Sequence, residues 1–204
     1  MIETLLSFAI ATVILALSPG PDNIFVLTQS IVNGRKYGLA TVLGLISGCL
    51  VHTTLLAFGV SAIIKESETL FTAIKFFGAI YLLYLAFKVY KSDATISLSE
   101  ESIPKKTTKQ LFKQGFIMNV LNPKVSIFFL AFFPGFLFSK TLNTVIQFYV
   151  LGLLFMFISG IIFSMIAMLA GSISENIKSN NKIGYYLKWT QVIVFILIAI
   201  FILI

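Results

Sequence analysis

One cysteine, one histidine and one tryptophan are all that this chain of 204 residues carries of three chemically versatile side chains. A single cysteine, Cys49, permits no internal disulfide and no thiolate metal cluster. A single histidine, His52, with no other ligands beside it, makes no metal site either. No Gly-x-x-x-x-Gly-Lys-Ser/Thr loop occurs, which excludes ATP hydrolysis of the P-loop kind. Neither a His-Glu-x-x-His helix nor a nucleophile elbow is present. An intramembrane hydrolase would need a nucleophile–base pair or a metal cluster, and one buried acid with one histidine offers little for either. The expectation is a protein that is not an enzyme and holds no cofactor and no metal.

Charge is also scarce. Charged residues make up 11% of the chain and hydrophobic residues 58%, where a soluble domain is nearer a quarter charged and half apolar. The partner is therefore a lipid bilayer. The formal net charge of +7 does not point to nucleic acid, because the basic residues cluster in short loops between apolar runs. Such clusters orient membrane proteins.

A membrane-spanning helix needs about 20 mainly apolar residues. Six segments qualify, over about 3–32, 37–64, 69–90, 110–138, 142–171 and 185–204. The first lacks a basic leader and a small-residue cleavage site, so it reads as a retained span and not a signal peptide. A single polar stretch, 91–109, containing Pro104, separates two three-helix halves, 1–90 and 110–204, of one membrane domain. The first, third and fifth loops hold eleven Lys and Arg residues, among them Arg35, Lys36, Lys91, Lys109 and Lys182; the second and fourth hold only Lys65 and Lys140. By the positive-inside rule the odd loops, including 91–109, are cytoplasmic and both termini face outside. With three spans per half, the second half enters from the opposite side, so the halves form inverted repeats.

Two of the six spans are broken at matching places. The first break reads Ser18-Pro19-Gly20-Pro21-Asp22-Asn23 and the second Asn119-Val120-Leu121-Asn122-Pro123-Lys124, and Pro21 and Pro123 lie 102 residues apart. Proline removes a backbone donor and clashes with the preceding turn. Irregular backbone at membrane depth survives only where protein or water satisfies it. Paired interruptions of this kind point to a transporter's binding site.

An ionisable side chain inside a span is a functional candidate. Asp22 and Lys124 follow the two prolines directly. They would form a buried pair or separate to hold the two ends of a zwitterion. Helix N-termini at the breaks would attract a carboxylate, and freed carbonyls an ammonium. Asn23, Asn119 and Asn122 would either satisfy the freed backbone or contact the substrate. His52, in the second span, titrates near neutrality when unperturbed; it is either a helix–helix contact or, with Asp22, a carrier of the coupling proton. Lys75 lies near a span end and reaches the interface. Gly44 and Gly48 are small residues at the spacing that lets helices approach closely, and Gly78 and Gly160 are read in the same way.

These motifs, taken in order, resemble the LysE/RhtB family of amino-acid exporters. Ser18 to Asn23 is similar to the family's first-span signature, and Gly44-Leu-Ile-Ser-Gly48 to its glycine-rich second span. The segment from Lys75 to Ala86 is similar to its third-span motif, and Phe116 to Lys124 to its Asn-Pro-Lys motif. The resemblance implies a plasma-membrane exporter of amino acids coupled to protons. Branches that export basic amino acids carry an acid in the second span, where this chain has Gly48, Cys49 and Leu50. Gly48-Cys-Leu-Val-His52 is closer to the homoserine/threonine branch, which implies a neutral substrate such as threonine, homoserine or a branched-chain residue. Export of an inorganic cation or another metabolite, a non-transporting membrane scaffold, and assembly as a homo-oligomer stay open at this point.

Overall fold

Apolar runs long enough to cross a bilayer leave the backbone no water to bond, so it must bond to itself. The computed structural model describes residues 1–18, 20–93, 106–179 and 182–203, and every regular element among them is a helix. Pro19 and residues 94–105, most of the expected connecting loop with Pro104, lie outside the described residues.

The first apolar run forms α1 (Ile2–Leu17) and α2 (Pro21–Asn33), which lie at 58° to each other. The second forms α3 (Arg35–Leu55), which passes through a π-helical turn (Leu56–Val60) into α4 (Ser61–Glu66). α5 (Glu68–Lys91) begins after Ser67, whose hydroxyl accepts the Leu70 N–H. α6 (Thr108–Val120) opens on a reciprocal capping box between Thr107 and Gln110. α7 (Pro123–Ile127) leaves α6 at a bend of 49° and tightens through a π turn (Phe128–Phe132) into a 3-10 turn (Phe133–Phe136). The last elements are α8 (Thr144–Met168), α9 (Ala170–Ser179) and α10 (Lys182–Leu203).

Four of these helical stretches are long and apolar enough to span a membrane, and counting each bent pair as one span gives six. The protein is an all-α multi-pass membrane protein. Two boundaries differ from the sequence reading. The fourth run loses its α-helix a second time, because Pro134 has no N–H to continue the ladder. The fifth stops at Met168, and residues 170–179 form a separate helix after a turn at Leu169.

α3 lies at the centre, packed most extensively on α6 and also on α2 and α8, while α5 pairs with α10. The α3–α6 contact depends on small residues. A Cβ on Gly44 would fall on the carbonyl of Phe112, one on Gly48 would sit 2.7 Å from Asn119 Oδ1, and one on Gly115 2.5 Å from the Thr41 carbonyl. Gly78 meets Ala131 in the same way, but Gly160 does not belong with them: its nearest neighbour would be Ile46 Cγ1 at an ordinary 3.7 Å. The core between the elements is aromatic, with Phe128 stacked on Phe132 at 4.5 Å and Phe129 on Phe133 at 4.1 Å. Outward positions stay apolar too: Phe77 is 72% and Phe157 67% exposed, a pattern that suits lipid and not water. Buried Gln147 fastens the loop before α8 with four bonds. Its Oε1 accepts from the N–H groups of Phe138 and Ser139, and its Nε2 donates to the carbonyls of Ser139 and Leu142.

Candidate functional site

Each proline of the two breaks begins a helix. Pro21 and Pro123 both occupy a first helical position, where the missing N–H costs nothing and the fixed φ suits the helix. The side chains just after them are thereby aimed at the gap between the broken spans. Asp22 lies in the first turn of α2, where the helix dipole favours a negative charge, and it is buried. Lys124 holds the corresponding place in α7.

The two breaks meet through Asn122. Its side-chain oxygen accepts the Lys124 N–H at 3.0 Å and caps α7, while its Nδ2 donates to both oxygens of Asp22 at 3.4 and 3.3 Å. Asp22 and Lys124 do not form an ion pair; among the described residues no carboxylate comes within 4.0 Å of the Lys124 ammonium. The ammonium lies instead 4.9 Å over the ring of Phe195 on α10, beside Gly20, where a Cβ would come within 3.3 Å of it. The two charges thus attract across a gap without closing it.

That gap is a cavity of about 50 Å³ (the space open to the centre of a water molecule). Gly20, Asp22, Asn23, Asn119, Asn122 and Lys124 line it together with Leu15, Ile46, Phe155, Ser159 and Phe163. Its volume is room for water, since a cavity needs only about 10–15 Å³ to hold one. Larger grooves of about 340 and 430 Å³ lie between α1 and α10 and between α3 and α8, and no charged side chain lines either. Size alone would favour those grooves, but only the small cavity carries the polar groups that orient a ligand. Another groove, of about 330 Å³, contains Lys75 without an acid.

Other expected residues take different places. Each broken helix has one of its freed carbonyls bonded by a side chain. Asn23 Nδ2 donates to the Ala16 carbonyl at 2.8 Å. His52 Nε2 donates to the Asn119 carbonyl at 3.0 Å, which also accepts the Asn122 N–H. His52 sits outside the cavity, with Phe129 and Ser126 around a separate space of about 120 Å³. Asn119 is buried against α3, and its Oδ1 accepts the Cys49 thiol at 3.7 Å. The α8 wall was not foreseen. Ser159 is the polar residue on it, 2% exposed, and its hydroxyl has no hydrogen-bond partner.

The geometry can be set beside known proteins. The family model described as LysE type translocator matches residues 13–204. This chain belongs to that family. Among its relatives are the uncharacterized membrane protein YrhP of Bacillus subtilis (strain 168), 32% identical over 143 residues covering 66% of this chain and 68% of that one. An uncharacterized membrane protein of Vibrio cholerae serotype O1 is 28% identical over 88% of this chain and 87% of its own. A leucine efflux protein of Klebsiella pneumoniae is 27% identical over 88% of this chain and 84% of its own. No solved structure matches the chain. Translocators carry solutes across membranes, and this LysE-type protein, with its apolar helices, is a multi-pass membrane protein of that kind.

Proposed function

We propose that this LysE-type translocator is a secondary active exporter of neutral amino acids, driven by protons, that works by alternating access at the cavity between the two breaks. The observation that carries the reading is the separation of Asp22 and Lys124. A buried carboxylate and an ammonium that face one cavity without touching match the two ends of a zwitterion. Asp22 takes the substrate ammonium and Lys124, beside Gly20, takes its carboxylate. Asn122 holds the Asp22 carboxylate in place until the ammonium replaces the weak amide contacts. The apolar wall receives an uncharged side chain, and no second acid is there to receive a basic one. The name leucine efflux protein carried by relatives supports a branched-chain substrate; threonine and homoserine are of similar size.

The packing supports inverted repeats. The third spans of the two halves pair with each other (α5 with α10), as do the second spans (α3 with α8). Each second span also packs on the other half's broken span, α3 on α6 and α8 on α1. A pseudo-two-fold axis generates each of these relationships. Rocking of one half on the other would enlarge the 50 Å³ cavity toward one side at a time. Asp22 carries the coupling proton in this scheme, because it alone among the described acids is buried in the cavity. In this reading the protein lies in the plasma membrane, and the distribution of Lys and Arg supports both termini outside and residues 91–109 cytoplasmic.

Cation export finds less support. A hard or soft cation needs several carboxylates or thiolates, and among the described residues no three His, Cys, Asp or Glu gather. Efflux of labelled leucine, threonine and homoserine from cells making the protein, with lysine as contrast and with or without a proton gradient, tests the reading. Gradient-dependent loss of a neutral amino acid is expected. Loss of lysine alone, or loss that ignores the gradient, overturns it.

A further inference from the structure

Hydroxyl groups in apolar helices normally turn back on their own backbone. This chain follows the rule at Thr12, Ser30, Thr41 and Thr53, each of which donates to the carbonyl four residues earlier, at 2.7–3.0 Å. Ser159 breaks it. Its hydroxyl is buried, makes no bond to Phe155 or to anything else, and lines the cavity. Phe155 and Phe163 stand four residues before and after it on the same face of α8, and both line the cavity too. α8 therefore gives the cavity two rings and, between them, one unsatisfied hydroxyl.

We infer that Ser159 is a specificity residue, whose hydroxyl bonds the side-chain hydroxyl of the substrate, so that the cavity prefers hydroxylated neutral amino acids to aliphatic ones of the same shape. The inference rests on the exporter reading above, in which Asp22 and Lys124 hold the amino and carboxylate ends. With those ends fixed, the side chain is directed to the α8 wall. A substrate hydroxyl there satisfies itself and Ser159 together. An aliphatic side chain of equal volume leaves the Ser159 hydroxyl orphaned, and sites built to bond a hydroxyl discriminate through that unpaired group.

Threonine and valine are isosteres, so they isolate the effect. Purified protein in proteoliposomes is assayed for counterflow of each, alone and in competition, alongside Ser159→Ala. Wild-type protein is expected to favour threonine, and the variant to lower the threonine-to-valine ratio about tenfold, the upper range for one neutral hydrogen bond. Because Ser159 has no protein partner, the variant should melt no lower than wild type. Equal rates for threonine and valine in wild-type protein overturn the inference without reference to any variant. An unchanged ratio in Ser159→Ala overturns it, as does a melting temperature lowered by several degrees, which would reveal a structural partner. If wild-type protein moves leucine but treats threonine as it treats valine, the exporter reading stands and only the role of Ser159 falls. If it moves no amino acid at all, the exporter reading falls and takes this one with it.

Discussion

The ring of His52 on α3 reaches across to the last turn of α6 and donates from Nε2 to the Asn119 carbonyl, 3.0 Å away. A carbonyl only accepts, so the proton is on that nitrogen. The bond closes one of the groups that a broken helix leaves open. His52→Ala should therefore lower stability by about 0.5–1.5 kcal/mol, the net worth of one hydrogen bond, because the carbonyl keeps the Asn122 N–H. Glutamine places an amide N–H where Nε2 stood, so His52→Gln should keep both stability and gradient-dependent efflux. Melting in detergent and efflux with and without a proton gradient check both. Loss of coupling in a stable His52→Gln protein would make the histidine a proton carrier and not a cap.

Asp22 is the opposite case. Its carboxylate accepts only the long amide contacts from Asn122, at 3.3 and 3.4 Å, so little of the fold depends on its charge. Asp22→Asn should leave expression and melting near wild type while efflux falls by roughly 10- to 100-fold, the range for a hydrogen bond to a charged group. The check is efflux normalised to protein in the membrane, with size-exclusion profiles as the folding control. Full efflux in this variant would remove Asp22 from the site.

The contrast between these residues explains what could be read in advance. Prolines and charges deep in apolar sequence are signals of composition, so both breaks and the residues beside them were legible from the chain alone. The partners that close the breaks were not. That Asn23 reaches the Ala16 carbonyl and His52 the Asn119 carbonyl depends on which helix faces which. Ser159 and Gln147 were missed because α8 is apolar on every side and its sequence does not tell which stripe faces inward. Gly115 escaped for a related reason. A lone glycine in α6 has no visible role until Gly44 and Thr41 are set against it.

Lys124 should read the carboxylate end of the substrate. Its ammonium has a ring beside it and no counter-ion within 4.0 Å among the described residues. Lys124→Gln should weaken the apparent affinity for the amino acid by roughly 10- to 100-fold. Wild-type protein should reject leucinamide, in which an uncharged amide replaces the carboxylate, relative to leucine, and the variant should lose that preference. Competition of each compound against labelled leucine measures it. Equal exclusion of leucinamide by both proteins would place the carboxylate elsewhere.

The close approach of α3 and α6 sets the distance between His52 and Asn119 and hence the position of Asn122, three residues further on. Gly44 is where that approach is tightest, since an added Cβ would land on the Phe112 carbonyl, and backbone cannot rotate aside as a side chain can. Gly44→Ala should therefore push the helices apart and cost about 1–3 kcal/mol, the usual price of overpacking. Gly115→Ala meets the Thr41 carbonyl from the other side and should behave alike. Gly59→Ala is the control: nothing lies within 4 Å of the added carbon, and a helical alanine in place of glycine should be neutral or stabilising by up to about 1 kcal/mol. Melting temperatures of the three variants order them. If the two interface variants melt with wild type, α3 and α6 are not held at glycine distance, and the cap between His52 and Asn119 loses its structural basis.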